Sequence, residues 1–97
     1  MKTNNLVFPL PILKALVEPS RLKLLSAISK GEICACELPP LVKKSQPVVS
    51  LHLSVLAKAG LVEVRPDGSK RLYSISEPGR KVLSDIAGWS EGKQGRK

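Results

Sequence analysis

The chain contains 97 residues, with 16 Lys and Arg against 8 Asp and Glu, which gives a formal net charge of +8. A chain of this length forms one small domain around one hydrophobic core, which excludes a two-domain enzyme. Hydrophobic residues make up 42% of it, but no apolar run approaches the roughly 20 residues that cross a bilayer, so we predict no membrane span. Because so small a domain is only marginally stable alone, we expect it to associate.

The distribution of positive charge favours a polyanionic partner. Residues 1–30 carry five basic groups and one acid, and residues 43–60 carry three lysines and no acid. Each phosphate neutralised by Lys or Arg releases condensed counterions, so this charge favours nucleic acid. The three aromatic residues, Phe8, Tyr73 and Trp89, are too few for the stacking platforms of single-strand and many RNA binders. We therefore predict binding to double-stranded DNA.

The N-terminal segment and the two cysteines indicate the compartment. Residues 1–17 lack the charged region, long apolar region and cleavage site of a signal peptide, which predicts a cytoplasmic protein. Cys34 and Cys36 are separated by one residue. In a reducing compartment such pairs bind metal or sense redox state more often than they form a structural disulfide.

The first predicted helix is apolar on nearly every side. Pro11 suits its first position, and between Ile12 and Val17 only Lys14 is polar. Such a helix must be buried. It packs either against a second copy of the chain or against the core of its own monomer.

Two further helices are predicted before residue 45. Arg21 to Ser29 has leucines at helical spacing, and Gly31 ends the helix. The segment 32–42 has the pattern of a short helix interrupted by Pro39 and Pro40, and a lysine pair then forms a turn.

The fourth predicted helix runs from about Gln46 to Ala59, with Ser45 as its cap and Gly60 as its end. Val49, Leu53 and Leu56 share one face, and the side chains at positions 46, 50 and 54 fall within about 80° of each other on another. His52 lies toward the apolar face, which favours a satisfied, partly buried histidine over a base reader or metal ligand. Leu51 lies nearer the polar face. Its two alternative roles are contact with a thymine methyl group and packing at the edge of the apolar face.

The periodicity then changes to that of strands. Residues 61–65 and 70–75 flank an Asp-Gly turn, which predicts a β-hairpin with basic residues beside its tip. Pro78 begins a last helix with an apolar stripe, and residues 91–97 form a flexible basic tail beyond a single domain of residues 1–90. The stripe has no obvious partner except the first helix or another chain. The expected dimer contacts are Ile12, Leu13, Leu16, Val82, Leu83, Ile86 and Trp89.

This order of elements, mainly α with one β-hairpin, predicts a winged helix-turn-helix. In that arrangement the second helix of the pair enters the major groove and the hairpin reaches toward backbone or minor groove. Gln46 can pair with adenine, small serines permit close approach to base edges, and Lys and Arg suit phosphates. The alternatives are a solvated helix face and a purely structural hairpin. The predicted DNA contacts are Lys43, Lys44, Ser45, Gln46, Pro47, Ser50, Ser54, Arg65, Lys70 and Arg71.

Four motifs together resemble the ArsR/SmtB family of metalloregulators, in its arsenic-responsive branch. They are EPSRLKLL at 18–25, GEICACEL at 31–38, SQPVVSLHL at 45–53 and RLY at 71–73. The resemblance covers about residues 12–90. It implies a homodimeric repressor, joined through its first and last helices, that leaves operator DNA when an inducer binds the cysteine box. It also implies that Gln46 and Ser50 read bases, whereas Leu51 stands where the family commonly has Arg.

The cysteine pair allows several interpretations. Two thiolates are soft ligands for arsenic(III) or antimony(III), and zinc or cadmium are further thiolate partners. Arsenic-responsive relatives often have a third Cys where this chain has Pro39. On a regular helix the two side chains would point about 200° apart, so gripping one ion would require local unwinding and could act as a switch. A thiol-redox switch and two inert cysteines in a repressor with another signal, such as temperature or none, are the alternatives.

Other classes of protein fit the sequence poorly. The single His52 has no acidic residue at motif spacing and there is no Gly-rich phosphate loop, so we predict no enzymatic activity and no obligatory cofactor. A metal or redox carrier would use the cysteines but has no need of a Ser-Gln-Pro helix or a basic hairpin. A winged helix that binds only protein would lack the lysines at 43, 44 and 58.

Overall fold

The computed structural model describes the backbone of residues 10–95 and the side chains of residues 10–88, Pro11 excepted. In this part of the chain, five α-helices and three strands follow one another in the order α1, α2, β1, α3, α4, β2, β3, α5. The helices are α1 (Leu10–Leu16), α2 (Pro19–Ser29), α3 (Pro39–Val42), α4 (Gln46–Lys58) and α5 (Glu77–Gly95). The strands are β1 (Ile33–Cys34), β2 (Val62–Asp67) and β3 (Lys70–Ile75).

Local capping signals set the starts of the main helices. Glu18 caps α2 by accepting a hydrogen bond from the Ser20 amide at 2.7 Å, with proline in the first turn. Ser45 caps α4, where its hydroxyl accepts from the Val48 amide at 3.4 Å. The predicted cap and bounds of the fourth helix are therefore confirmed to within one residue.

The predicted helix over residues 32–42 is wrong in its first half. Ile33 and Cys34 are extended and pair with Tyr73 and Leu72 of β3, and a 3₁₀ turn, Ala35–Glu37, follows. Only Pro39–Val42 is α-helical. The pairing strand lies almost 40 residues further along the chain, so the local pattern carried no sign of it.

The sheet is antiparallel with the strand order β1-β3-β2. The predicted hairpin is confirmed, with Asp67 opposite Lys70 and a turn whose Gly68 has φ 64°, a conformation that favours glycine. Its first strand extends two residues further than predicted, to Asp67.

One core joins the helices to the sheet. Its buried members come from the first four helices, both hairpin strands and the residues just before α3 and β2, and they are Ala15, Leu24, Leu25, Ile28, Leu38, Val42, Val49, Leu53, Leu56, Leu61, Val62 and Tyr73. Ser76 ties α5 to this core, since its hydroxyl donates to the Gly60 carbonyl at 2.6 Å and accepts from the Gly79 amide at 3.0 Å. The hairpin and α5 are therefore fixed relative to the end of α4.

Helix α5 begins at Glu77, one residue before the predicted start, and continues to Gly95. The predicted tail of residues 91–97 thus overlaps the end of a helix, while Arg96 and Lys97 lie outside the described residues. Among residues 10–95, no helix combines the length and apolar character needed to cross a bilayer.

Candidate nucleic-acid interface and cysteine site

Helix α4 has the two faces that its sequence predicts. Val49, Leu53 and Leu56 are buried in the core, while Gln46 and Ser50 are exposed and Ser54 is half-buried. Leu51 is 65% exposed, so it makes no edge packing within the monomer. An exposed leucine beside Ser50 remains available for an apolar contact such as a thymine methyl group.

His52 anchors α4 to the start of α2 and is not part of the exposed face. It is 9% exposed, and its Nδ1 accepts a hydrogen bond from Arg21 Nε at 3.2 Å, which confirms the interpretation as a satisfied, buried histidine. Arg21 also donates from Nη1 to the Lys14 carbonyl at 3.0 Å, and the Glu18 carboxylate lies 3.8 Å from His52 Nε2. These contacts join the end of α1, the cap of α2 and the middle of α4.

The ionisation of Glu18 follows from the same contacts. Burial opposes its charged form, but the hydrogen bond from the Ser20 amide, His52 and Arg21 outweigh burial, and together they lower the pKa of Glu18. The cap is therefore strongest when this carboxylate is ionised.

The turn between α3 and α4 presents two exposed lysines. Lys43 directly follows α3 as its C-cap and adopts a left-handed conformation with φ 57°, and Lys44 comes next. The amide of Lys44 donates to the Pro39 carbonyl at 3.3 Å, which fixes the turn. Ser45 and Pro47 are exposed at the start of α4, although the Ser45 hydroxyl already serves as the helix cap.

The basic residues of the hairpin differ in their surroundings. Lys70 and Arg71 are exposed, whereas Arg65 forms a two-point ion pair with Glu32 at 2.8 and 3.1 Å. The hydrogen bond from Arg65 lowers the pKa of Glu32, and the Glu32 carboxylate in turn raises the pKa of Arg65. Sequence reasoning missed Glu32 as a partner, since 33 residues separate the two and only the sheet brings them together.

The two cysteines are not on a regular helix, so the prediction that their side chains oppose each other is wrong. Cys34 ends β1 and is buried, and Cys36 lies in the 3₁₀ turn and is exposed. The structure pairs their sulfurs as a disulfide, with Cα atoms 5.2 Å apart, and the Cys36 amide donates to Cys34 Sγ at 3.1 Å. The sequence did not predict this disulfide, which closes across one residue and therefore constrains only a very short loop between β1 and the 3₁₀ turn.

One groove brings the cysteines together with the exposed face of α4 and the hairpin. We call this cavity of about 720 Å³ the reading groove. Its polar and sulfur-bearing lining comprises Cys34, Cys36, Gln46, Ser50, Ser54, Lys58, Ser69, Lys70, Arg71 and Tyr73. Sequence reasoning found these residues separately but did not place the cysteines beside the α4 side chains.

A second groove lies between α1 and α5 on another part of the surface. We call this cavity of about 610 Å³ the apolar groove, and its lining is Ile12, Leu13, Leu16, Val17, Leu22, Val82, Asp85 and Ile86. The structure thus joins five of the predicted dimer residues at one place. Leu83 packs against the core, as Ile12, Leu16 and Val82 also do, but it does not line the groove, and the side chain of Trp89 lies outside the described residues.

No cluster of three or more His, Cys, Asp or Glu residues within the described part of the chain could hold a metal ion. A metal or metalloid at the cysteines would therefore take its further ligands from outside this set of side chains.

Comparison with known sequences identifies relatives. The family described as "Bacterial regulatory protein, arsR family" matches residues 18–64. The arsenical resistance operon repressor of Staphylococcus aureus is 41% identical over 75 residues, which are 77% of this chain and 69% of that protein. The corresponding repressor of Staphylococcus xylosus is 43% identical over 65 residues, or 67% of this chain, and the chain spans only 62% of that protein's length.

Solved structures share the fold. NolR from Sinorhizobium fredii superposes with a TM-score of 0.73 at 33% identity, covering 80% of this chain and 79% of that one. A homodimeric winged helix-turn-helix DNA-binding domain, Mb0332 from Mycobacterium bovis, reaches a TM-score of 0.81 at 23% identity over 90% of this chain and 82% of that one. The winged helix-turn-helix predicted from the order of elements is therefore confirmed.

Proposed function

We propose that this chain, which belongs to the ArsR family of bacterial regulatory proteins, is a homodimeric repressor released from operator DNA when arsenite or antimonite binds Cys34 and Cys36. The observation that carries the proposal is the reading groove, which unites a soft-ligand pair with an exposed recognition helix and a basic hairpin. Its relatives and structural neighbours are regulators of transcription rather than enzymes. Since its partner is genomic DNA, we infer a cytoplasmic location.

DNA recognition is assigned to the exposed face of α4 and its surroundings. Gln46 and Ser50 are exposed on the helix that a helix-turn-helix inserts into the major groove, where Gln can pair with adenine. Lys43 and Lys44 flank the start of this helix, and Lys70 and Arg71 extend the positive surface onto the hairpin. Phosphate contacts by these cations position the protein, and the α4 side chains supply sequence preference.

Arg65 contributes to DNA binding in a different way. Its guanidinium is held by Glu32, so a phosphate must compete with a carboxylate for it. We therefore assign Arg65 a weaker DNA contact than Lys70 and Arg71.

Dimerisation is assigned to the apolar groove. Leu13 and Val17 are 44% and 78% exposed in the monomer, and the groove that includes them is lined almost wholly by aliphatic side chains. Covering this surface with a second copy removes apolar area from water at about 25 cal/mol per Å². Two copies also present two recognition helices to the two halves of an operator.

The inducer is assigned to the cysteine pair. Reduced Cys34 and Cys36 provide two adjacent thiolates, which suit a thiophilic trivalent ion. Pro39 stands where arsenic-responsive relatives often have a third Cys, so water or a small thiol completes the coordination. Arsenic acts here as a transient ligand rather than as a resident cofactor.

Thiol oxidation is the second candidate signal. The pairing of the Cys34 and Cys36 sulfurs in the structure favours this candidate. A disulfide and a bound metalloid use the same two atoms, so the two signals exclude each other. The repressor and its DNA interface are the same in both proposals, and only the chemistry of release differs.

The test is a titration of the reduced protein on its own upstream DNA, followed by fluorescence anisotropy with and without arsenite, antimonite, zinc, cadmium or an oxidant. We expect release by arsenite or antimonite and none from the Cys34→Ser, Cys36→Ser double variant, which should still bind DNA. Release by oxidant alone would support the second candidate. An inducible double variant would overturn the assignment of the cysteines.

The DNA assignment has its own test. Replacing Gln46 and Ser50 by Ala should weaken operator binding by about 1–3 kcal/mol per base contact while hardly changing affinity for scrambled DNA. The matched control is Ser29→Ala at the last residue of α2, where the hydroxyl donates to the Ser26 carbonyl. Equal losses on both DNAs would contradict the reading role of α4.

A further inference from the structure

The cysteine pair and the proposed DNA-reading side chains line the same cavity. Cys34 and Cys36 form part of the reading groove, with Gln46 and Ser50 of α4 and Arg71 of the hairpin around it. Cys36 is exposed, so a group attached to its sulfur extends into space that no protein atom fills.

We propose that operator DNA and a bulky group carried on Cys36 exclude each other from the reading groove, so that the inducer acts through the bulk of its bound adduct, by direct occupation of the proposed DNA-binding surface. This inference rests on the proposed function for its DNA partner, but not on the identity of the inducer. It replaces the sequence-based idea that helix unwinding drives release.

The local geometry removes the need for unwinding. Because Cys34 ends a strand and Cys36 follows in a 3₁₀ turn, the two sulfurs already lie side by side. A ligand that bridges them requires little movement of α3 or α4. If the backbone moves little, the switch must come from what the bound ligand adds to the groove.

The chemistry leaves one substituent on the arsenic atom. Arsenous acid, As(OH)₃, reacts with the two reduced thiols to form two As–S bonds, and two water molecules leave with the thiol protons. One hydroxyl stays on arsenic, or a small thiol replaces it with loss of a third water. The arsenic therefore carries a third group beyond the two protein sulfurs.

The size and charge of the groove suit a bulky third group. Its volume of about 720 Å³ far exceeds that of one hydroxyl, since a water molecule's share of liquid is about 30 Å³. Lys58, Lys70 and Arg71 rim the cavity and can pair with the carboxylates of an anionic thiol. The same three cations attract DNA phosphates, so the thiol adduct of arsenic would compete for charge as well as for space.

The first experiment measures whether DNA shields Cys36. Cys34→Ser leaves one exposed thiol, and N-ethylmaleimide adds the S–H of Cys36 across its double bond. With operator DNA at saturation, shown independently by anisotropy, the alkylation rate should fall at least tenfold. The control is Ser26→Cys in the doubly cysteine-free background, an exposed position on α2 outside the reading groove, whose rate should change less than twofold.

An unchanged alkylation rate of Cys36 in a saturated complex would overturn the proposal. Protection without any response to arsenite would support the shared groove and would contradict only the identity of the inducer. Loss of operator binding in the unmodified protein would instead contradict the proposed function, so the two failures are distinguishable.

The second experiment separates occupation from distortion by varying the size of the attached group. Methyl methanethiosulfonate transfers a methylthio group to Cys36 and releases methanesulfinate, whereas maleimides with ethyl or polyether substituents leave progressively larger adducts. Operator affinity should fall stepwise, by less than threefold for methylthio and more than 100-fold for the polyether. Equal losses for all adducts would overturn the proposal, and the same adducts on the Ser26→Cys control should leave affinity within threefold.

Discussion

The reading groove and the apolar groove have similar volumes, about 720 and 610 Å³, but the first has a mixed polar and apolar lining and the second is almost wholly apolar. Three cations, several hydroxyls and two sulfurs line the first, whereas Asp85 is the one charged residue among the aliphatic side chains of the second. Charge attraction to DNA weakens as salt rises, whereas burial of apolar surface is not weakened by the screening of charges and is strengthened by some salts. The proposed function, in which the regulator releases DNA but keeps its partner, needs one surface of each kind.

The largest expected effect comes from placing a charge in the apolar groove. Leu13→Asp alters a side chain that is 44% exposed in the monomer, so the fold should survive. Burying an unpaired carboxylate in the dimer costs several kcal/mol, so the dimer dissociation constant should rise at least about 100-fold. Sedimentation velocity measures this change, with circular dichroism as a check of folding.

Leu41→Asp is the matched control for Leu13→Asp. Leu41 is 53% exposed on α3, outside the apolar groove, and the same substitution there should leave the dimer intact. A dimer that persists in Leu13→Asp would show that the apolar groove is not the interface.

The packing of α5, one wall of the apolar groove, gives the next largest effect. A Cβ at Gly79 would collide with the Leu61 carbonyl oxygen, whereas a Cβ at Gly88 meets nothing within 4 Å. Gly79→Ala should therefore lower the free energy of unfolding by about 1–3 kcal/mol, and Gly88→Ala should raise it by up to about 1 kcal/mol. Urea unfolding at one fixed protein concentration tests both, and equal effects at the two glycines would contradict this packing.

Adding charge to the proposed DNA-binding surface should make DNA binding depend more steeply on salt. Leu51→Arg places a cation on the exposed face of α4, and one new phosphate contact should steepen the slope of log K against log salt by about 0.9. Ser26→Arg adds the same charge on α2, away from the reading groove, and should change the slope much less. Anisotropy titrations at several salt concentrations between about 50 and 300 mM measure both slopes.

The smallest expected effect concerns the ion pair between Glu32 and Arg65, at the edge of the proposed DNA-binding surface. The pKa of Glu32 in the folded protein lies below the ordinary value of 4.5, so ionisation of this carboxylate favours folding. This contribution is complete above the ordinary pKa and is lost as the pH falls through the lower pKa of the folded state. Glu32→Gln should therefore flatten the acid limb of stability against pH.

Glu63→Gln serves as the control for Glu32→Gln. Glu63 is exposed on β2 and forms no ion pair within the described residues. Thermal unfolding is measured between about pH 3 and 7, a range that includes the ordinary carboxyl pKa. It should show the flatter acid limb for Glu32→Gln alone. Equal curves for the two variants would contradict a stabilising ion pair.

Elements governed by neighbouring residues were predictable from the sequence. Ser45 caps α4 through a residue three positions away, and Gly68 supplies the turn of the hairpin within its own two-residue loop. The two faces of α4 likewise follow from the spacing of its apolar residues. The predicted burial of His52 was correct for this reason, but its Arg21 partner was not foreseen.

The sequence by itself therefore determined the order of elements, the polar and apolar faces and the presence of a soft-ligand pair. Tertiary structure alone decided that Cys34 is a strand residue, that Glu32 holds Arg65, and that the cysteines share a groove with Gln46 and Ser50. Helix caps and turns depend on residues a few positions apart, so a local pattern reveals them. Strand pairing and groove lining depend on residues brought together by the whole fold, whose separation in sequence hides the contact.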